Sequence, residues 1–519
     1  MAKPSEKLAE SLEVLHQLQE RGVVAIHSRD LTRTHRERLL KSGFLQEVRR
    51  GWYVPARPDE TTWESTAWYA SYWNFCASYL QNRFGNDWCL SPEQSLSLHA
   101  ENWTVPPQLL IRSSKAQNNI TALPHGTAFL DARVLVPQGK DIEKKDGLLL
   151  FSLPAALIEC SPRYFMHAPT DMRAALSMIS DASEVLERLL EGGHSIIAGR
   201  LAGAFRNIGR DRIADNILGT MRTAGYDVRE NDPFETKIQV ALPARERSPY
   251  VNRIRLMWQE MREPIIEHFP PPPGLPKNVD QYLKRMEDVY VTDAYHSLSI
   301  EGYRVSPELI ERVRSGTWNP DDDENDQEHR NALAARGYWQ AYKAVRNSIE
   351  KILHGKDPGN AVDADHQIWY REMFGPSITA GILKPADLAG YRNSRVYIRR
   401  SMHVPPSHEA ARDAMPAFFD LLIEEAEASV RVVLGHFIFV YIHPYMDGNG
   451  RMARFLMNTM LASGGYPWTV VPLQERDAYM AALEDASVNQ DIKPFTQFLA
   501  TLVDAGLDGE AIPKLPTSD

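Results

Sequence analysis

The stretch at 443–454, HPYMDGNGRMAR, combines a His-Pro pair, an acidic residue, a Gly-Asn-Gly turn and two arginines three positions apart. Neither a buried helix nor an ordinary surface loop requires this set of side chains. These side chains do suit a loop that holds a phosphate chain beside a base. The spacing therefore indicates nucleotide chemistry at this loop.

Each residue type in the loop suits one part of that chemistry. Glycines let the backbone approach a ligand closely, and consecutive N–H groups at 448–450 can form an anion-binding nest at a helix N-terminus. Arg451 and Arg454 lie one turn apart on one helix face and can bind separate phosphates. Asp447 is a hard oxygen ligand of the kind that Mg²⁺ takes beside phosphate oxygens. His443 is the nearby side chain that can accept a proton near pH 7.

The loop is predicted to connect two core helices. Residues 428–442, ASVRVVLGHFIFVYI, are apolar on nearly all sides, which predicts a buried helix that stops or turns at Pro444. Residues 451–465 predict a second helix that closes at two glycines. The sequence G-x-x-x-x-G-K-[ST] does not occur in the chain, so the loop is not a P-loop.

The whole pattern resembles the signature of the Fic family, H-P-[FY]-x-[DE]-G-N-G-R-x-x-R. Fic proteins typically transfer AMP from ATP to a Ser, Thr or Tyr hydroxyl of a target protein. The resemblance implies that His443 is the base that deprotonates the attacking hydroxyl, and that Asp447 holds Mg²⁺ between the α- and β-phosphates. It also implies phosphate contacts from Gly448, Asn449, Gly450, Arg451 and, at the γ-phosphate, Arg454.

The family's adenine-side pattern resembles Y-x-x-x-L-E-x-A-N, and here the corresponding stretch reads YMAALEDAS. Tyr479 is kept and is expected to bind the nucleotide. Ser487 stands where the family has Asn. A donor other than ATP is therefore left open.

The segment 390–406, GYRNSRVYIRRSMHVPP, resembles the family's flap. Val396 and Ile398 alternate with polar residues and are followed by Pro405-Pro406, which predicts a short hairpin edge. An exposed edge can take a target segment as an added strand. The target protein is accordingly expected to bind through the flap, residues 395–402. An ordinary surface hairpin is the alternative.

A second motif, AYHSLSIEG, precedes the loop in the chain. Ser297 and Glu301 are four apart and share a helix face, and Gly302 ends that helix. The motif resembles the family's inhibitory sequence [ST]-x-x-x-E-[GN]. The resemblance implies that Glu301 pairs with Arg454, occupies the γ-phosphate position and keeps the protein auto-inhibited.

The first 60 residues read as helix, helix and hairpin, the order of a winged helix-turn-helix. The second helix is predicted to start at Asp30 or Thr32 and to stop at Gly43, with a hairpin turn near Arg50-Gly51. Eight basic against three acidic residues give 21–50 a local charge of +5. The region resembles AbiEi-type antitoxins and related regulators, so residues 29–50 are a candidate DNA contact, with a solvated helix face as the alternative.

The bulk composition is that of a soluble globular chain of several domains. The 519 residues carry a net charge of −10, which speaks against nucleic acid coating the whole surface. The sequence holds no apolar run long enough to span a bilayer and no signal-peptide core at its start, so a cytoplasmic location is expected. The three cysteines lack metal-site spacing and read as buried small hydrophobes.

The fold class predicted is mainly α, with an all-helical Fic domain at the C-terminus preceded by a winged helix and a small α+β and helical region. The domain ranges predicted are 1–60 winged helix-turn-helix, 61–170 small α+β, 171–267 helical, 268–277 proline-rich linker and 278–505 Fic domain. The proline run HFPPPPGLP is expected to be extended and to serve as an articulation.

The function predicted is protein adenylyl transfer that uses ATP and Mg²⁺ and is restrained by Glu301. Two alternatives stay open. The same glutamate can position water to remove AMP from a modified target, which would make the enzyme bifunctional. Alternatively, the winged helix is the working part, and the Fic domain is a nucleotide sensor on a DNA-bound regulator. A homodimer is also left open.

Overall fold

A computed structural model of the chain describes residues 4–58, 65–235, 248–318, 326–509, 513 and 515. It separates into two compact units. The N-terminal unit comprises Met1–Arg253 together with Tyr397–Val404, and the C-terminal unit comprises Ile254–Val396 together with Pro405–Asp519.

The N-terminal unit starts with the elements α1 (Pro4–Glu20), β1 (Ile26–His27), α2 (Arg33–Lys41), β2 (Leu45–Arg49) and β3 (Trp52–Pro55). The strands form an antiparallel sheet in the order β1-β3-β2. The Thr32 hydroxyl accepts the His35 N–H and caps α2, and Gly51 takes a φ of 79° in the turn of the hairpin. The order of helix, helix and hairpin, and the turn near Gly51, are confirmed.

A small core closes this first part. Leu15 and Leu18 of α1 pack with Ile26, Leu39 and Tyr53. Helical spacing of leucines on α1 had to produce such a face, because residues three and four apart lie on the same side of a helix.

The rest of the N-terminal unit mixes helices and strands and then becomes helical. Its elements are α3 (Thr66–Phe84), β4 (Cys89–Leu90), α4 (Pro92–His99), β5 (Gln108–Ser113), β6 (Ile120–Ala122), β7 (Ala128–Arg133), β8 (Ile142–Lys145), β9 (Leu148–Phe151), α5 (Leu153–Glu159), α6 (Tyr164–His167), α7 (Pro169–Ser177), α8 (Ser183–Glu191), α9 (Ser195–Asn207) and α10 (Asp211–Thr223). One sheet has the order β4-β5-β7-β6, with β5 and β7 parallel, and β8 pairs with β9. The three cysteines are free and buried, as predicted.

The segment expected to form the flap hairpin is not a hairpin. Residues 390–406 are all described, and none of them is in a strand. Within the N-terminal unit, the Met402 carbonyl accepts the Val105 N–H at 2.9 Å, and the Arg400 N–H donates to the Thr66 hydroxyl at 3.1 Å. The hairpin prediction was wrong because these backbone groups bond to residues far away in the sequence, and Arg400 turns the chain with a φ of 62°.

The C-terminal unit is helical almost throughout, as predicted. Its elements are α11 (Pro249–His268, which begins in the N-terminal unit), α12 (Val279–Ile300), α13 (Pro307–Ser315), α14 (Asp326–Leu353), α15 (Pro358–Thr379), α16 (His408–Glu424), α17 (Ala428–Ile442), α18 (Asn449–Gly464), α19 (Arg476–Glu484) and α20 (Lys493–Leu507). Helix α17 is buried at nearly every position, as its apolar sequence predicts. Within the described ranges, no helix is long and apolar enough to cross a membrane.

In the proline run, His268 is the last residue of α11 and residues 269–276 are in neither a helix nor a strand. The two units do not divide there. The division falls at Arg253 and Ile254, inside α11. The run is fixed to the C-terminal unit because Pro270 accepts a hydrogen bond from the Tyr466 hydroxyl at 2.6 Å and Gly274 donates to the Gly464 carbonyl at 3.0 Å. The borders of the smaller predicted domains stay predictions.

Candidate active site

The loop at 443–448 connects α17 to α18, two buried helices of the C-terminal unit. His443 directly follows α17 and is in the left-handed region, with φ 53° and ψ 59°. Gly448 directly precedes α18 and is also left-handed, with a φ of 81°. A residue with a Cβ atom is uncommon in this conformation, and such residues cluster at functional sites. The loop therefore makes two sharp turns, one at each helix end.

His443 is half-buried at the end of α17. Its Nδ1 lies 3.2 Å from the Val440 carbonyl. A carbonyl can only accept, so Nδ1 carries the proton and Nε2 is left with its lone pair. Burial, together with a smaller effect of the charge of Arg392, lowers the pKa of His443 to about 4; the hydrogen bond to Val440 and the charges of Glu301 and Asp447 oppose the shift. The imidazole is neutral at pH 7 and can accept a proton.

The Asn449 side chain braces the loop from inside. Its Oδ1 accepts the Tyr445 N–H at 2.9 Å, and its Nδ2 donates to the Tyr445 carbonyl at 2.9 Å. The side chain is 2% exposed. The amide therefore serves the loop backbone, and the N–H groups at the start of α18 are what the loop offers to an anion.

Arg451 lies in the first turn of α18 and is almost fully buried, at 2% exposed. Its guanidinium lies 5.2 Å from the centre of the Tyr303 ring and 5.1 Å from that of Phe374. Rings on a guanidinium face stabilise the cation and restrict its position. Its Nη2 is 3.4 Å from Asp447 Oδ1, so the charge stays beside the loop.

Arg454, one turn further along α18, is bound by the end of α12. Its Nε donates to the Ser297 hydroxyl at 2.9 Å and its Nη2 donates to the Ser297 carbonyl at 3.0 Å. The same Nη2 donates to Glu301 Oε1 at 2.7 Å. Arg454 is 3% exposed, so this ion pair is shielded on the arginine side.

Glu301 follows the last residue of α12 and lies against Gly450 in the first turn of α18. A Cβ atom built on Gly450 would lie 2.4 Å from Glu301 Oε1, so this helical position has no room for a side chain while the carboxylate is there. Burial acts to raise the pKa of Glu301, but the charges of Arg454 and Arg451 outweigh it and the pKa is lowered. The carboxylate is ionised at neutral pH. Gly302 follows with a φ of 88° and ends the helix as predicted.

Asp447 is the acidic residue of the loop, and its side chain is 65% exposed. Its Oδ1 accepts the Gly448 N–H at 2.6 Å. A carboxylate that is held by one oxygen and open to solvent suits Mg²⁺, which binds through one or two carboxylates together with phosphate oxygens. The residues present therefore fit a nucleotide-bound Mg²⁺.

Comparison with known proteins assigns this part of the chain. Residues 366–461 match the Fic/DOC family. This segment is similar to Fic domains. It contains the flap region and the entire HPYMDGNGRMAR loop, whereas Glu301 lies ahead of it in the chain.

Curated relatives of the Fic domain include two proteins named protein adenylyltransferase Fic. The one from Nematostella vectensis is 28% identical over 260 residues, which cover 49% of this chain and 57% of that protein. The one from Drosophila willistoni is 31% identical over 228 residues, which cover 43% of this chain and 42% of that protein. The chain thus spans about half the length of the curated relatives it matches.

Solved structures of Fic proteins are also similar. Fic-1 from C. elegans has a TM-score of 0.37 at 23% identity and covers 63% of this chain and 93% of that one. A Fic family protein from Desulfovibrio desulfuricans has a TM-score of 0.33 at 18% identity and covers 46% and 76%.

Tyr479, expected on the adenine side of the Fic domain, is 2% exposed. Its hydroxyl lies 2.7 Å from Nε2 of His436, a buried residue of α17. Burial raises the pKa of Tyr479 to about 12, and burial together with the charge of Arg454 lowers that of His436 to about 3. Both groups are neutral. Ser487 lies in the π-helical turn Asp485–Asn489, and its effect on donor choice stays a prediction.

Sequence reasoning did not identify several residues of the site. Arg392 donates to the carbonyl of His443, Tyr303 and Phe374 stack on Arg451, and His436 bonds with Tyr479. Each is distant in sequence from its partner, and no local pattern marks it.

The basic residues proposed for DNA contact lie in the N-terminal unit and differ in their surroundings. Arg33 pairs with Glu37 at 2.7 Å, Arg36 donates to the Ser28 carbonyl, and Arg38 donates to the Lys7 carbonyl. Exposed positions in the same segment include Arg29, Lys41 and Arg50. DNA binding through residues 29–50 stays a prediction.

Proposed function

We propose that this protein transfers AMP from ATP to a Ser, Thr or Tyr hydroxyl of a target protein, and that Glu301 restrains the reaction. The observation that carries the proposal is the environment of His443 in the Fic motif. His443 is the first residue of the loop, and its imidazole is neutral with the lone pair of Nε2 able to accept a proton. The backbone N–H groups and the arginines that follow are groups that can bind phosphates.

The reaction follows from the chemistry of these residues. The target hydroxyl attacks the α-phosphorus of ATP while His443 Nε2 takes its proton, a new P–O bond forms, and the bond to the β-phosphate oxygen breaks to release pyrophosphate. The N–H groups at 448–450 and the guanidinium of Arg451 bind the phosphates through this change. Phosphoryl transfers depend mainly on such positioning and charge neutralisation.

Mg²⁺, held by Asp447, would neutralise charge on the α- and β-phosphates when bound. Arg454 would then bind the γ-phosphate. Its hydrogen bonds to Glu301 and Ser297 support a restrained ground state, because the same donors cannot serve both a carboxylate and a phosphate. The target is expected to reach His443 along the flap, residues 395–402.

The experiment compares wild type, Glu301→Gly, Glu301→Gly/His443→Ala and a control, Glu424→Gly. Glu424 is the exposed last residue of α16, so the control also replaces a glutamate at a helix end by glycine. Each protein is incubated with ATP labelled on the α-phosphate and Mg²⁺, alone and with cell lysate. Intact-mass analysis detects AMP on the protein itself.

If Glu301→Gly is the only protein of the four that gives AMP label, both the transfer reaction and the restraint are supported. If wild type and Glu424→Gly give as much label as Glu301→Gly, the restraint is overturned and the reaction is kept. If no variant labels any protein, the donor is not ATP under these conditions or the proposal is wrong. The same assay with GTP, CTP and UTP labelled in the same way separates those two outcomes and addresses Ser487.

A second activity, removal of AMP from a modified target, is favoured by one observation. The Glu301 carboxylate lies against the phosphate-binding loop with its side chain 30% exposed, which leaves room for water beside it. Wild type, but not Glu301→Gln, would then release AMP from target protein that Glu301→Gly has labelled.

A further inference from the structure

Arg392 is a buried arginine of the C-terminal unit, and it lies outside the Fic motif at 443–454. It is 1% exposed and is 51 residues from His443 in sequence. Burial of a charge is unfavourable unless hydrogen bonds compensate for it. The partners of Arg392 therefore indicate what it is there to hold.

Those partners are backbone carbonyls at the end of α17. The Arg392 Nε donates to the His443 carbonyl at 2.8 Å and its Nη2 points to the Ile442 carbonyl at 3.5 Å. Its own backbone N–H donates to the Pro444 carbonyl at 2.9 Å. The last carbonyls of a helix have no partner within the helix, and a cation there is favoured by the helix dipole.

The remaining donors of Arg392 bind the flap segment. Nη1 donates to the Ser394 carbonyl at 3.0 Å and Nη2 donates to the Pro406 carbonyl at 2.5 Å. One planar guanidinium thus fixes both ends of the flap segment and the backbone of His443. His443 is in the left-handed region, which a β-carbon disfavours, so its conformation needs support of this kind.

From these contacts we infer that Arg392 is a positioning residue for His443, which holds the imidazole at the angle that the transfer reaction requires. The inference rests on the proposed function and names a residue on which it depends. Arg392 acts through the His443 backbone and has no contact with the reacting atoms. Besides Arg392, two charged groups affect the pKa of the same imidazole: Glu301 at the end of α12 and Asp447 in the loop.

The test compares Arg392→Met and Arg392→Lys with Arg431→Met, all in the Glu301→Gly background. Arg431 is a matched control because it is also buried, and it also binds backbone carbonyls at an end of α17, those of Glu425 and Ala426. It is at the opposite end of the helix from His443. Each variant is measured for kcat of AMP transfer, for ATP affinity by calorimetry, for Tm, and for the titration of His443 by ¹³C NMR.

Both Arg392 variants are expected to lower kcat by about 100-fold, with ATP affinity changed by less than about 3-fold, because the base is misaligned while the phosphate site is kept. Loss of the cation in Arg392→Met also moves the His443 titration to higher pH, whereas Arg392→Lys keeps the charge and the low titration point. Arg431→Met lowers Tm without a shift of that titration.

If kcat stays within about 3-fold of the background in the Arg392 variants, or falls only in proportion to lost folding as with Arg431→Met, the inference is overturned. If Arg392→Met does not fold, Arg392→Lys decides by the same kcat and ATP measurements. If the Glu301→Gly background itself transfers no AMP, the proposed function fails, and the His443 titration still decides the role of Arg392.

Discussion

The Oε1 atom of Glu301 lies 2.7 Å from Nη2 of Arg454, and Ser297, one turn earlier in α12, accepts two further hydrogen bonds, from Nε and Nη2 of the same guanidinium. One helix end thus occupies the side chain through three hydrogen bonds. Ser297 accepts two of them, one through its hydroxyl and one through its backbone carbonyl. Mutation can therefore remove the bonds to the Glu301 and Ser297 side chains, but it cannot remove the bond to the Ser297 carbonyl.

These bonds predict that the two side-chain mutations increase AMP transfer by different amounts. Replacing Glu301 by Gly removes the charge partner and is expected to raise AMP transfer at least about 10-fold, since a charge-assisted bond to a buried arginine is worth roughly 1.5–3 kcal/mol. Ser297→Ala loses only the hydroxyl bond and should raise transfer about 3-fold. Initial rates of label incorporation measure both. Equal rates in the two variants would contradict the assigned order.

The low pKa of His443 predicts a flat pH profile. The base works when unprotonated, and a histidine with a pKa of about 4 is unprotonated throughout the range from about pH 5.5 to 8. A histidine at the ordinary value of about 6.5 would lose roughly 10-fold in rate over the acid part of that range. The measurement is the rate of Glu301→Gly at saturating ATP across that range. Because removal of the Glu301 charge lowers the pKa of His443 further, the rate of this variant should depend even less on pH in that range.

Gly450 and Glu301 are predicted to be energetically coupled. Because a Cβ at position 450 would meet Glu301 Oε1 at 2.4 Å, Gly450→Ala is expected to push the carboxylate off Arg454 and to destabilise the wild-type protein by about 1 kcal/mol. In Glu301→Gly the same change should stabilise by about 0.5–1 kcal/mol, as alanine does relative to glycine in a helix. Urea unfolding of the four proteins measures the cycle, and additivity would rule out the coupling.

The basic segment of the N-terminal unit leads to a binding prediction. If residues 29–50 contact DNA, the combined change Arg29→Glu, Lys41→Glu and Arg50→Glu should abolish binding to duplex DNA. Conservative Lys or Arg exchanges should preserve it, because phosphate contacts depend on charge. Fluorescence anisotropy at several salt concentrations measures how steeply the affinity for DNA falls with salt. His443→Ala serves as the control and is expected to bind DNA like wild type. Equal anisotropy of wild type and the triple variant would leave the solvated helix face as the explanation.

The parts of the site that sequence predicted are local ones. The apolar run of α17, the proline after it and the glycines around α18 fix a loop between two buried helices, because each constraint acts within a few residues. The helix that carries Ser297 and Glu301 also follows from local spacing. Its approach to Arg454, 153 residues away, came only from the family resemblance.

The parts that sequence missed depend on distant partners. The flap was read as a hairpin from the alternation of Val396 and Ile398, but backbone bonds from Val105 and to Thr66 fix its outer half instead. The role of Arg392 was also missed, because a buried guanidinium that binds backbone carbonyls produces no periodic pattern in the sequence. Tertiary contacts override a two-residue alternation when the alternation is short.

Asn449 distinguishes a side chain that binds the nucleotide from one that shapes the loop. The family resemblance implies a phosphate contact, whereas its amide oxygen and nitrogen both bond to the Tyr445 backbone in a nearly fully buried position. Asn449→Ala should therefore lower the free energy of unfolding by about 2–3 kcal/mol, because two buried backbone groups lose their partners. Asn449→Asp should be at least as harmful, since a carboxylate cannot donate to the Tyr445 carbonyl. Urea unfolding and ATP calorimetry on the same samples decide the question. A variant that loses ATP affinity while its unfolding free energy is unchanged would show that the side chain binds phosphate directly.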